Sequence, residues 1–228
     1  MILEIACNNI NSVAIAAANG ADRIELFSNI HEGGVTPSFG TMKAAVAFGL
    51  PVYAMIRPRG GHFCYTPQEL ESLKWDIESA HEAGVQGIVM GALTAKGEID
   101  TALCEMLLSY WGKPATFHRA FDLLGSPFTA LEALIEMGFE RVLTSGGAVA
   151  ALEGIGIIES LVAASKGRIQ ILAGAGINRE NAAAFNHIAG LEGVHTTAKR
   201  LIQDSGVASG PLWESIAEEI RAIKAVIG

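Results

Sequence analysis

The sequence predicts a single α/β domain, a TIM-type (β/α)8 barrel formed by residues 1–228. Three observations carry this reading. The chain has 228 residues, and such barrels need roughly 200 to 250. A short motif recurs: a helix-ending Gly, a few linking residues, then a short apolar run. It reads NGADRIELF, FGLPVYAMI, AGVQGIVMG, MGFERVLTS, KGRIQILAG and AGLEGVHTT. Finally, no G-x-G-x-x-G follows the first strand, which favours a closed barrel over the competing open doubly wound sheet.

In each repeat the Gly supplies the left-handed conformation that stops a helix. The run after it is short and apolar because a parallel strand is covered on both faces. With the N-terminal LEIAC and the central PATFHRAF, eight strands are expected to start near residues 2, 23, 51, 86, 114, 141, 169 and 193. The mean repeat of about 27 residues fits one strand plus one helix.

The helices follow in order. Thr66, Pro67 and Glu69 supply an N-cap, a Pro at the first helical position and the returning Glu of a capping box. Asp100 is placed to cap TALCEMLLSYWG, and Ser126-Pro127 repeats the first two signals. Gly154 and Gly156 interrupt residues 148–166 and predict two short helices there. Asn178 is placed to cap RENAAAFNHIAG. A last helix is expected from about Pro211, with Trp213, Ile216, Ile220, Ile223 and Ile227 at helical spacing. The longer connections, 29–40, 57–66 and 198–210, all follow strands and so share one face of a barrel.

Composition narrows the functional classes. The net charge of −8, with no block of like charge, argues against nucleic-acid or anionic-membrane partners. The opening MILEIACNN has neither the basic nor the long apolar region of a signal peptide, and no run suits a bilayer span. Three widely spaced cysteines, Cys7, Cys64 and Cys104, fit reduced thiols and a cytoplasmic location.

Barrel sites collect at the C-terminal ends of strands. Glu4 and Glu25 lie inside strands 1 and 2, where a carboxylate must find a partner or act. Arg57, Arg119 and His118 are the expected partners, and a satisfied polar layer inside the barrel is the alternative. IRPRGGHFCY presents Arg57 and Arg59 with two glycines, a combination suited to an anion. Within it, His62 is expected at the surface and Cys64 as a small buried residue. TFHRAFD brings out His118, Arg119 and Asp122 together. Alternation sends the first two to opposite faces unless the strand ends between them.

LTSGG offers Ser145 and Gly146. LAGAGIN offers Gly174 and Gly176 before a predicted helix N-terminus, although these glycines also suit tight turns alone. HTTAKR adds Thr196, Thr197 and Lys199, while His195 within strand 8 is expected to be structural. Glu4, Glu25, His118 and Asp122 are thus the catalytic candidates. A mixed site of Glu25, Arg57 and His118 is expected at the mouth. A small anion is expected near strands 7 and 8, on Gly174–Asn178, Thr196 and Thr197. No predicted strand contains Lys, which argues against Schiff-base chemistry. C-x-x-C, H-x-H, H-E-x-x-H and G-x-S-x-G are all missing.

NGADRIEL, EGGVTPSFG, MIRPRGGHFCY, FHRAFD, RVLTSGG, AGAGI and the strand-8 HTT together resemble the CutC copper-homeostasis family, from the first strand to about Lys199. The resemblance implies a cytoplasmic βα barrel, often a homodimer, with copper as the candidate metal. It departs from that pattern at Phe27, where relatives often carry Cys, and at HTT in place of a His-Ser-Ser type ending. Copper(I) favours thiolate and thioether ligands. Cys7, the thiol at a strand end, is the metal-ligand candidate and lacks a thiolate partner, so weak copper binding is expected. Three readings follow: a copper-associated barrel, an acid–base enzyme acting on a small anionic or phosphorylated substrate, and a non-catalytic binding or scaffold protein.

Overall fold

The structure is a computed structural model and describes residues 1–202 and 211–228. Eight parallel strands close into a barrel: β1 (Ile2–Cys7), β2 (Arg23–Leu26), β3 (Val52–Met55), β4 (Gly87–Met90), β5 (Ala115–Phe117), β6 (Arg141–Thr144), β7 (Gln170–Gly174) and β8 (Gly193–Thr196). Each pairs in parallel with the next in sequence, and β8 pairs with β1. Around them run α1 (Ile10–Ala18), α2 (Phe39–Val46), α3 (Pro67–Ala83), α4 (Thr101–Trp111), α5 (Pro127–Met137), α6 (Ile155–Ser165) and α7 (Ala217–Ile227). A short antiparallel pair, β9 (Lys199–Ile202) and β10 (Leu212–Ser215), lies outside the barrel.

The predicted strand starts fall on or within one residue of the observed ones. Thr66 and Glu69 form the reciprocal capping box of α3, and Asp100 caps α4 through the Leu103 N–H. Pro127 opens α5, but Ser126 makes no side-chain cap bond.

Three helical expectations need correction. Residues 155–165 form one helix, preceded by turns, because the chain after β6 folds back against Gly154. A Cβ on Gly154 would stand 2.0 Å from the Ser145 carbonyl oxygen. Between β7 and β8 there is no α-helix, only a single 3-10 turn at Ala182–Phe185. Asn178 and Asn181 close turns on neighbouring amides instead, and α7 packs beside this segment. The third correction concerns the C-terminal segment, where Leu212–Ser215 is strand and the last helix begins at Ala217. The loop predicted over 198–210 lies partly outside the described residues.

Alternation along the strands builds two apolar compartments. Leu3, Ile5, Cys7, Ile24, Leu26, Val52 and Ala54 point out into the layer beneath the helices. Ala6, Phe27, Tyr53, Met55 and Val89 form a smaller cluster inside the barrel. The staggered register stacks inward side chains in layers of four from alternate strands. The lowest layer is Arg23, Gly87, Arg141 and Gly193. Above it come Glu4, Tyr53, Thr116 and Leu172, then Glu25, Val89, Leu143 and His195, and then Ala6, Met55, His118 and Gly174.

The bottom is plugged. Gly87 makes room for the Tyr53 ring, since a Cβ there would stand 2.1 Å from ring carbon Cε1. The Arg23 and Arg141 guanidiniums lie 5.2 and 4.8 Å from the centroid of that ring.

Candidate active site at the barrel mouth

Above the fourth layer opens a cavity of ≈ 520 Å³. Glu25 and His195 reach its floor. Phe27, Met55, Phe63 and Leu143 give apolar walls, and Arg57, His118, Arg119, Asp122, Thr197 and Lys199 stand around it.

Beneath the floor lies a buried charge network. Arg23 Nε hydrogen-bonds the Glu4 carboxylate, whose other oxygen is 2.7 Å from His195 Nδ1. Burial opposes the Glu4 charge, but Arg23 and His195 outweigh it and hold the carboxyl down at about 2. Glu25 lies 3.5 Å from the same His195 nitrogen through Oε2, which makes no hydrogen bond among the described residues. Burial, with Glu4 nearby, pushes Glu25 up to about 7 against the pull of His195. Burial disfavours the His195 charge as well, but Glu25 and Glu4 together raise its pKa.

Among the described residues, Glu4, Glu25 and His195 are the three metal-capable side chains that converge, with one ligand atom from each lying within 4.8 Å of the others. Arg23 already occupies the place of a counter-ion at Glu4, and an incoming cation would meet its charge. The trio is therefore an internal ion-pair network. The sequence reading expected Arg57, Arg119 or His118 as partners and His195 as structural. The missed signal is the β1–β8 register, which sets Glu4 opposite His195.

His118 caps the short helical turn after β5, with Nδ1 accepting from the Ala120 N–H. The ring proton must then sit on Nε2, which is buried and unpartnered among the described residues. Burial and the nearby Arg57 push its pKa down to about 3, so the imidazole is neutral at physiological pH. Because β5 ends at Phe117, His118 and Arg119 both reach the cavity.

Arg57 is buried, but its fork is occupied. Nη1 donates to the Glu32 and Gly34 carbonyls and Nη2 to the Gly61 carbonyl, tying the loops after β2 and β3 together. Only Nε lacks a partner among the described residues. Arg59 turns outward to Glu69 and to the Gly60, His62 and Cys64 carbonyls, and it does not line the cavity. Its expected role at the mouth is corrected accordingly.

The end of β6 binds an anion, but the anion is the protein's own. Asp122 accepts from the Thr144 and Ser145 hydroxyls, from the Ser145 and Gly147 amides and from Arg119. The Gly146 amide goes to the Thr144 hydroxyl. Asp122, Ser145 and Gly146 thus form a self-satisfied turn rather than free site groups.

Gly174, Gly176 and Thr196 also lie off the cavity lining. A Cβ on Gly174 would meet Leu143 at 2.6 Å, and the Thr196 hydroxyl donates to the Ile177 carbonyl. Without an α-helix after β7, the expected helix-end anion site there has no basis. Thr197 and Lys199 do line the cavity. Cys7 points into the helix layer, where burial pushes its thiol pKa far up, so the expected metal ligand does not face the mouth.

A closed eight-stranded parallel barrel with its polar cavity at the C-terminal strand ends defines a TIM-barrel protein with the site in the usual place for that fold. The sequence model of the CutC family matches residues 1–200, and the chain belongs to that family. It is 42% identical over 238 residues to a CutC family protein of Pasteurella multocida (strain Pm70), covering 98% of each chain. The human copper homeostasis protein cutC homolog is 44% identical over 208 residues, covering 90% of this chain and 76% of that one. A solved Streptococcus agalactiae structure described as a copper homeostasis protein CutC aligns with a TM-score of 0.82 and 33% identity, over 86% of this chain and 98% of that one. N-(5'-phosphoribosyl)anthranilate isomerase from Pyrococcus furiosus shares the fold alone, at a TM-score of 0.61 and 13% identity over 100% of this chain and 98% of that one. No helix among the described residues is long and apolar enough to cross a membrane.

Proposed function

We propose that the barrel mouth performs proton-transfer chemistry on a small anionic substrate, with Glu25 carrying the proton. The observation behind this is a cavity-floor carboxyl with an oxygen that makes no hydrogen bond among the described residues, which burial and the nearby Glu4 push up to about 7. A general acid or base works best near the operating pH, where it typically contributes about 10²- to 10⁴-fold in rate. The other carboxylates around the mouth are committed, Glu4 to Arg23 and His195, Asp122 to the β6 turn, and Glu32, on the loop after β2, to the Gly60 amide. Arg57 is buried with no carboxylate within salt-bridge distance among the described residues and Lys199 stands at the rim, while Arg119 is paired with Asp122, so Arg57 and Lys199 are the charges that favour an anion at the mouth. An open cavity of ≈ 520 Å³ suits a ligand better than a scaffold role.

The test is deuterium incorporation from D2O into a cytosolic metabolite extract incubated with the protein, read by mass spectrometry. Incorporation that disappears in Glu25→Gln supports the reading, and incorporation that persists in that variant overturns it.

Copper is implied by the names of the relatives, but the donor set here does not suit copper(I). The cavity offers one sulfur, that of Met55, and the Cys7 thiol faces the other way. No step of the proposed chemistry passes through a metal. A cytoplasmic homodimer is part of the same proposal on resemblance to the family, and sedimentation measures the assembly.

A further inference from the structure

Three residues that line the cavity each hold one buried polar atom without a hydrogen bond among the described residues: Glu25 Oε2, Arg57 Nε and His118 Nε2. Leaving a buried polar group unpaired costs about 1–3 kcal/mol, more for a charged one, so three on one cavity call for an explanation. Two of them are donors and they are neighbours. The sheet ladder continues past the strand ends, with Ile56 N–H to Val89 O at 2.8 Å and His118 N–H to Met90 O at 3.0 Å. Arg57, Gly91 and His118 are therefore neighbours in the hydrogen-bond register of three adjacent strands, with Arg57 two residues beyond Met55, which shares the layer of His118. Gly91 has no side chain between the other two. A Cβ there would stand 2.6 Å from His118 Cε1, so the imidazole lies across the gap. Phe63 touches both donors, with its ring 4.6 Å from the His118 ring and 4.7 Å from the Arg57 guanidinium carbon.

The two donors differ in kind, and the difference is informative. His118 donates as a neutral imidazole, because its other nitrogen accepts from the Ala120 amide. Arg57 donates through Nε alone, its fork being fixed by three carbonyls. Such a pair is held in place before any ligand arrives, and it suits an oxygen that gains negative charge during reaction.

We infer that His118 Nε2–H and Arg57 Nε–H bind the carbonyl oxygen of a small carbonyl compound that also carries an anionic group, and that they stabilise its enolate. This rests on the reading of Glu25 as the proton carrier. The ionised Glu25 carboxylate takes the proton from the carbon next to the carbonyl. The C–H electron pair becomes a carbon–carbon double bond, and the carbonyl π pair moves onto the oxygen held by the two donors. Return of the proton to the same carbon restores the carbonyl. Where that carbon bears a hydroxyl, return to its neighbour, with the hydroxyl proton passing to the oxygen held by the two donors and the hydroxyl oxygen becoming the new carbonyl, gives the isomer. Either route regenerates the carboxylate. The cycle therefore exchanges or isomerises without any oxidant, reductant or second substrate.

Pyruvate and dihydroxyacetone phosphate in D2O are the substrate probes, and oxalate, shaped like a small enolate, is the binding probe. Proton NMR should show deuterium entering at the carbon beside the carbonyl of at least one substrate. In protein labelled with ¹⁵N-histidine, oxalate should move the His118 Nε2 resonance. His118→Phe should slow deuteration about 100-fold or more and weaken oxalate binding. His118→Gln, which keeps an N–H donor, should recover part of both. Glu25→Gln should stop deuteration yet still bind oxalate. Deuteration lost in His118→Phe but kept in Glu25→Gln sustains the donor pair and overturns the assignment of Glu25. An unmoved His118 resonance, an unchanged rate in His118→Phe, or no deuteration of either substrate overturns the inference.

Discussion

Two glutamates in adjacent layers of the barrel interior have opposite fates. Glu4 is held charged by Arg23 and His195, whereas Glu25 holds its proton to about pH 7. Glu4→Gln leaves Arg23 buried without its main counter-charge, and a loss of about 3–5 kcal/mol is expected in urea unfolding. The pH dependences run in opposite senses. The folded pKa of Glu4 lies below its ordinary 4.5, so its contribution is full above that value and disappears as pH falls towards 2. The folded pKa of Glu25 lies above its ordinary 4.5, so its burial costs no charge at low pH and weighs increasingly against folding as pH rises from 4.5 to about 7. The unfolding midpoint should therefore drop between about pH 4.5 and pH 7 and level off above it, and Glu25→Gln should flatten that drop. A drop of equal size in the variant would refute the assignment. Both carboxylates were legible in the sequence as inward charges on strands. Their partners were not, because alternation gives the face a side chain points to, while the closing register decides which residue it meets.

At the level of strands and loops, local chemistry marked the starts well. The Thr66–Glu69 box forms as its spacing demands, and Thr66→Ala should destabilise the protein by about 1 kcal/mol in thermal unfolding. Where the reading failed, tertiary packing overrode local propensity. RENAAAFNHIAG looks helical, yet α7 packs beside it and it forms one 3-10 turn, with Ala182 and Phe185 buried. Trp213 has helical spacing to the isoleucines that follow, but it pairs with Leu201 across β10 and β9. The phosphate-site reading of β7 and β8 fell with the missing helix. The turn after β6 shows why free amides cannot be counted from glycines alone, since Asp122 arrives from the preceding loop, after β5, to fill them. Gly91 is the position where one methyl group is most informative. Gly91→Ala should displace the His118 ring and shift its Nε2 resonance while the protein stays folded by circular dichroism.

At the level of the whole molecule, the thiols are spread over separate environments. Cys7 and Cys104 are buried in the helix layer and Cys64 is half-buried in the loop after β3, bonded through its carbonyl to the outward-turned Arg59, so no pair converges as copper(I) would require. Competition against a copper(I) chelator should reveal no tight stoichiometric site, and Cys7→Ser should leave the titration unchanged. A tight site abolished by that substitution would contradict this description.

The plugged bottom of the barrel governs where protons can travel. With Tyr53 clasped by Arg23 and Arg141, no wide passage leads from Glu25 downward, and the molecule works as a vessel with one opening. A ligand seated in that opening is also its stopper. A hydrogen lifted from the ligand onto Glu25 can therefore trade with water only through that opening, as the ligand loosens in its seat. Return to the molecule it came from and exchange with water then compete within one turnover. Substrate tritiated at the reacting carbon should keep part of its label in product while deuterium from D2O enters the rest, and complete washout of the label would mean that the vessel leaks.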